Sequence, residues 1–297
     1  MSGKLKEVRE RIKSVQSTQQ ITKAMKMVSA AKLRKAQQAI TEMRPYANRL
    51  DKMMKSIVSN LDGDINSPYV SVREPNKVAV VVVTSNRGLC GAFNNNIIKE
   101  AINRVENVYT RQRAAGNLTM VFVGKKGYDA FRKRYTDLNL INEYVDLYSD
   151  LSFNNISAVS QMLMDKFEAG EYDKIDVCYG QFRNAAVQEP IGVQFLPVQQ
   201  LKIEASQSKS KADYIFEPSK EELLNSLIPS ILQTSFQKFV LDNHASEHGA
   251  RMTAMDNATN NADELMKALK INYNKARQEA ITKELSEIVG GAAALGG

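Results

Sequence analysis

Apolar residues near the start of the chain recur in alternating steps of three and four. Leu33, Ala36, Ile40, Met43, Ala47, Leu50, Met54, Ile57 and Leu61 form one such series, and Leu5, Val8, Ile12 and Val15 an earlier one. A mean step of ~3.5 is the repeat of helices that wind around one another. Near residues 19–21 and 25–28 the apolar repeat slips, so the supercoil is expected to relax there. At the other end Ala262, Met266, Leu269, Tyr273, Ala276 and Ala280 make a second seam, after which the frame shifts to Ile281, Leu285 and Ile288. Small Ala and flexible Met at these seats suit close, adaptable contacts.

Neither stretch is punctuated. Between Gly3 and Pro45 there is no Gly or Pro, which allows about 60 Å of helix at ~1.5 Å per residue. Between Pro229 and Gly290 the only breaker is Gly249, giving about 90 Å. Helices this long pair with another long helix, and closure of the chain makes the pair antiparallel. The competing reading is two amphipathic helices laid on an ordinary core. Ser219-Lys220-Glu221-Glu222 reads as a capping box opening the second helix, with a kink expected at Pro229.

The middle alternates differently. Residues 77–83, 117–123, 143–148 and 174–181 read as strands, and 187–197 as a further edge. Residues 96–113, 126–135 and 154–169 carry helical spacing. Strand alternating with helix predicts a parallel sheet covered on both faces. The expected fold is therefore α/β: a long antiparallel coiled coil of terminal helices plus a central Rossmann-like α/β domain. The divisions are residues 1–62 (N-terminal helix), 74–200 (α/β domain), 201–218 (a Ser- and Lys-rich connector) and 219–297 (C-terminal helix).

Charge sharpens this picture. The 297 residues carry a formal +7. Residues 1–60 hold 14 Lys/Arg against 4 Asp/Glu, residues 61–214 are balanced, and residues 215–297 carry 8 against 11. The chain is basic at one end only. No apolar run reaches the ~18–20 residues of a membrane helix, and the first residues carry no secretory signal and, with Glu7 and Glu10, no transit-peptide character. Cys90 and Cys178 make neither a disulfide framework nor a thiolate metal site, which fits a reducing compartment and two buried packing residues.

Three motifs invite chemistry. The turn Thr84-Ser85-Asn86-Arg87-Gly88-Leu89-Cys90-Gly91 follows the first strand, where doubly wound domains hold phosphates, but it matches neither phosphate-loop pattern, so a docking turn is expected. His244-Ala245-Ser246-Glu247-His248 is an H-x-x-E-H pattern, which would make the chain a zinc hydrolase with Glu247 poising a water. The expectation instead is an exposed His pair flanking a packing Glu. A basic coiled-coil nucleic-acid-binding protein is the third possibility. It lacks any aromatic residue before Tyr46 to stack on bases.

Four segments in register resemble the gamma subunits of F-type ATP synthases over nearly the whole chain. They are Arg11-Ile12-Lys13-Ser14-Val15 with Ile21-Thr22-Lys23-Ala24-Met25-Lys26-Met27-Val28 and Ala30-Ala31-Lys32-Leu33; the turn at Thr84–Gly91, where the family commonly has Asp at the Asn86 position; Ser246-Glu247-His248-Gly249-Ala250-Arg251-Met252 with Met255 and Ala258-Thr259-Asn260-Asn261-Ala262; and Ile281-Thr282-Lys283-Glu284 with Glu287 and Gly291-Ala292. His248 stands where the family often has Gln, which weakens the zinc reading. The resemblance implies a rotor shaft without an active site, cofactor or metal of its own. Its partners would be the alpha and beta subunits of the catalytic ring, the epsilon subunit and the c-ring. It implies no nucleic acid, membrane association only through partners, and a peripheral place on the cytoplasmic face of a bacterial plasma membrane. Residues implied to touch beta are Met25, Lys23, Lys26, Arg251, Arg277, Gln278, Thr282 and Glu284. The apolar tail from Gly290 to Leu295 would turn in an apolar collar. No cysteine pair of the kind inserted in chloroplast relatives is present.

Overall fold

The computed structural model describes residues 3–59, 68–198 and 220–295. These divide into two compact units, one of residues 31–250 and one of residues 1–30 with 251–297. Two helices contribute to both: α1 (Gly3–Ser59) and α6 (Lys220–Leu295). Pro45 and Pro229 lie inside them, and neither proline ends its helix. The capping Ser219 and the connector 201–218 fall outside the described residues.

The larger unit is built on a five-stranded sheet in the order β3-β2-β1-β4-β5. β1 (Val78–Val83) lies between β2 (Leu118–Val123) and β4 (Lys174–Phe182), parallel to both. The short β3 (Asn139–Ile141) extends the parallel order, and β5 (Gln188–Leu196) closes the other edge antiparallel to β4. Every side chain of β1 is buried, so the Val-Ala-Val-Val-Val-Val run needs cover on both faces. Ala79, Val81 and Val83 pack with Ile156, Val159, Leu163 and Phe167 of α5 (Phe153–Glu168) and with Phe236 and Val240 of α6. Val78, Val80 and Val82 pack with Phe93, Ile97 and Ala101 of α2 (Phe93–Asn103) and with Phe131 of α4 (Lys125–Arg134). Cys90 and Cys178 are buried in this second cluster, and burial pushes the Cys178 thiol up to about 12.

Two predicted elements differ. The helix expected at 96–113 is broken into α2, a π-helical turn Arg104–Val108 and α3 (Thr110–Ala114). The cause is Asp176, fully buried on β4, which receives the Arg104 guanidinium and the Tyr109 hydroxyl at 2.6 Å. Residues five apart lie on different faces of an α-helix, whereas a π turn, closed by Tyr109 N–H to Arg104 C=O at 2.8 Å, brings them to one face. The strand expected at 143–148 is instead turns and a short 3-10 segment, Leu147–Ser149. Tyr144, Leu147, Tyr148 and Leu151 reach the core at helix-like spacing, and the paired strand is the three residues before them.

The smaller unit is an antiparallel helix pair. Arg9 Nη2 donates to Tyr273 OH (3.0 Å), Gln19 Nε2 to Asp263 Oδ1, and Lys26 Nζ to Asp256 Oδ1 (2.5 Å), while Thr22 Oγ1 and Thr259 Oγ1 share a bond of 2.8 Å. In every pair the two residue numbers add to 281 or 282, the signature of a fixed antiparallel register. The expected slip of the α1 seam does not occur. Buried and half-buried seats run Leu5, Val8, Ile12, Val15, Gln19, Thr22, Lys26 and Ser29 in unbroken steps of three and four. Only the chemistry changes: four seats are polar, and Gln19, Thr22 and Lys26 bond across the pair while Ser29 bonds back to the Met25 carbonyl at 2.7 Å. The frame shift at Ile281, Leu285 and Ile288 is also absent, since all three are exposed. At this register Gly3 faces residue 278 or 279, so α6 beyond that level runs past the described residues of α1.

Candidate functional site: the helix surfaces and two polar junctions

The residues singled out for partner contact fall into two groups. Lys23 is exposed, while Met25 and Lys26 are half-buried, with Lys26 committed to Asp256. Arg277, Gln278, Thr282 and Glu284 are all exposed. At the observed register Met25 faces residue 256 or 257. Arg277 lies twenty or so residues further along α6, about 30 Å at ~1.5 Å per residue. The structure therefore makes two contact levels and does not bring the eight residues together. Arg251 differs from the rest in being buried, at 8 % exposure.

Sequence reasoning missed what surrounds Met25. Ile21 and Val28 are 60 % and 57 % exposed, and together with Met25 they make a stripe at helical spacing off the seam; Met27 beside them is also exposed. Their signal was present as apolar residues that spoil the heptad frame. A second apolar stripe, Ile281, Leu285, Ile288 and Val289, is exposed beyond the level of the described residues of α1. Contiguous exposed apolar residues rimmed by charge are what protein interfaces use.

The turn after β1 is engaged internally. Thr84 Oγ1 accepts from Gly127 N–H (2.8 Å), Ser85 C=O from Lys126 N–H (3.1 Å) and Asn86 Oδ1 from Lys125 N–H (3.1 Å). Those are the first three amides of α4, which a helix start otherwise leaves without intrahelical partners. Asn94 completes the turn by accepting from Ser85 N–H at 3.0 Å. The docking-turn expectation holds, and an Asp at position 86 would accept the same amide.

The His pair is not exposed as expected. His248 and Glu247 are buried and His244 half-buried, because this part of α6 lies on the sheet of the larger unit. The two Nε2 atoms are 3.1 Å apart, and the His244 ring stacks on Tyr148 at 5.8 Å between centroids. Burial, reinforced by Glu247, holds the Tyr148 hydroxyl well above the ordinary tyrosine range. Among the described residues no cluster of three or more His, Cys, Asp or Glu is arranged to hold a metal ion. Asp242, two residues before His244, is also buried, and desolvation raises its pKa against the pull of Lys238, Arg44 and Arg183. No helix of the described residues is long and apolar enough to cross a membrane.

Antiparallel terminal helices with a doubly wound domain between them in sequence define a class: coiled-coil stalk proteins carrying an α/β domain. The ATP synthase family model matches residues 4–295. The ATP synthase gamma chain of Flavobacterium psychrophilum is 54 % identical over 294 residues, 99 % of each chain. That of Cytophaga hutchinsonii is 50 % identical over 292 residues, 98 % of each. Among solved structures, a chain of the Euglena gracilis mitochondrial ATP synthase (OSCP/F1/c-ring, rotational state 3) superposes with a TM-score of 0.68 at 25 % identity, covering 99 % of this chain and 95 % of that one. A chain of the Tetrahymena thermophila mitochondrial ATP synthase central stalk and c-ring gives 0.57 at 27 % identity, covering 80 % and 99 %. The chain belongs to the ATP synthase gamma-chain family, the central stalk of F-type ATP synthases.

Proposed function

We propose that this chain is the rotor shaft that couples ion flow through a membrane sector to ATP synthesis or hydrolysis in a catalytic ring, and that it performs no catalysis itself. The observation that carries this is the register-locked antiparallel pair of α1 and α6 in a chain alignable end to end with gamma chains. Its mechanism is differential contact. As the shaft turns, each orientation favours a different conformation of each catalytic subunit, and binding free energy passes between states through those contacts.

The partners are alpha and beta subunits around the helix pair, and epsilon and the c-ring at the α/β domain. Lys23, Met25 and Lys26, with the Ile21 and Val28 stripe, form the contact at one level, and Arg277, Gln278, Thr282 and Glu284 that at the other. Arg251, being buried and lying five or six residues from the position that faces Met25, belongs to the frame of the first level rather than to its face. The basic α1 meets carboxylate-rich loops of beta. The chain sits peripherally on the cytoplasmic face of a bacterial plasma membrane, held there by these partners. Expression in a bacterium lacking its own gamma chain tests the reading. Co-purification with alpha and beta subunits and restored ATP-driven ion pumping are expected, and a chain that never enters the complex refutes it.

A further inference from the structure

β4 is longer than β1, its neighbour on one side. Its pairing to β1 ends at Cys178, while residues 179–182 pair only with β5. The amide and carbonyl of Gly180 on the open side are taken by α6 instead. Gly180 N–H donates to Asn243 Oδ1 at 2.9 Å, and Ser246 Oγ donates to Gly180 C=O at 2.9 Å. Asn243 and Ser246 are both fully buried and sit three residues apart, one above the other on one helix face. Asn243 Nδ2 also donates to Tyr148 OH at 2.6 Å, which ties the same side chain to the segment before α5. Gly180 itself is a close-approach position, since a Cβ there would lie 2.6 Å from the Phe93 ring at the start of α2 and 3.5 Å from Asn243 Oδ1. Three residues beyond Ser246, a Cβ on Gly249 would lie 3.3 Å from the Ala185 backbone of the β4–β5 turn.

Apolar contacts hold α6 against the sheet elsewhere, through Phe236, Val240 and their neighbours. Such contacts are non-directional and yield to sliding. A helix bonded to both polar groups of one residue in a strand is different, because hydrogen bonds weaken steeply with misalignment. Any rotation or translation of α6 on β4 breaks one or both bonds and leaves buried groups unpaired. We infer that Asn243 and Ser246, gripping Gly180, are the clamp that passes torque from the α/β domain into α6. They are positioning residues for rotary coupling, and the inference rests on the shaft reading above. The H-x-x-E-H pattern then acquires a structural meaning, since His244, Glu247 and His248 flank the clamp on the same buried stretch.

The test uses membranes carrying the assembled synthase with this chain as its only gamma chain. ATP hydrolysis and the membrane potential it generates, read with a voltage-sensitive dye, are measured on the same vesicles at matched amounts of complex. The Asn243→Leu, Ser246→Ala double variant is expected to keep hydrolysis while the potential developed per ATP consumed falls about threefold or more. Ser246→Thr, which keeps the hydroxyl, is expected to stay coupled. A merely structural role lowers the amount of assembled complex and leaves this ratio unchanged. An unchanged ratio in the double variant overturns the clamp. Should that variant not assemble, Ser246→Ala, which deletes one oxygen, is read in the same way and wild-type coupling overturns the inference. Failure of the unmodified chain to restore pumping would count against the shaft reading itself.

Discussion

Gly124 precedes α4 with φ of +93°, and a Cβ there would lie 2.1 Å from the Thr84 carbonyl oxygen. Thr84 opens the turn whose oxygens cap α4, so the strand end and the helix start are pressed together at this point. Alanine there meets two penalties, a left-handed backbone and an overlap with main chain that cannot swing aside. Gly116 has a φ of +70° with nothing within 4 Å of its missing Cβ, so it meets only the first. Gly124→Ala is expected to cost about 3 kcal/mol or more, and Gly116→Ala about 1 kcal/mol. Chemical denaturation of the two purified variants checks the ordering, and equal losses would show that contact with Thr84 does not govern position 124.

At the scale of elements, polar seats in a coiled coil trade stability for register. Thr22 and Thr259 share a bond across the pair, and whichever hydroxyl donates there forgoes the carbonyl within reach on its own helix, Gln19 for Thr22 or Met255 for Thr259. Removing one hydroxyl leaves a half-buried partner short of a bond, while removing both leaves two apolar seats. Thr22→Val alone is expected to cost about 1 kcal/mol, and Thr22→Val with Thr259→Val less than that or nothing. A double-mutant cycle by thermal unfolding of the chain measures the coupling, and additive losses would deny the cross-helix bond. The same pair shows where the sequence was legible. Strands such as Val78–Val83 and the terminal helices were readable because burial on both faces, or on one stripe, leaves a plain apolar pattern. The polar seats were not, since a heptad position filled by Gln, Thr or Lys looks like a break until a partner 230 or more residues away supplies its bond. The π turn failed for a similar reason: Asp176, which draws Arg104 and Tyr109 together, lies 67 residues beyond the nearer of them.

For the whole molecule, the proposed shaft must interact with a ring while remaining free to turn within it. Short polar side chains on an exposed helix face suit this, because their hydrogen bonds form and break with little rearrangement, each contributing about 1 kcal/mol net. Gln278 and Thr282 are four residues apart on α6 and both exposed, Gln278 at the level of the first described residues of α1 and Thr282 beyond that level. Glu264 is exposed on the same helix within the paired stretch and serves as a control for surface change. If the two residues form a catch with beta, Gln278→Ala and Thr282→Ala lower ATPase coupling or the yield of assembled complex several-fold, while Glu264→Ala leaves both near wild type. The stability of the isolated chain should not separate the three variants, because none of these side chains is buried and surface changes of this kind stay within ~0.5 kcal/mol. Steady-state ATP hydrolysis and ion pumping in reconstituted membranes, set beside thermal unfolding of the free chain, distinguish a lost partner contact from a lost fold. Wild-type coupling in both variants would move the catch elsewhere on the helix pair, with the Ile21, Met25 and Val28 stripe the next surface to substitute.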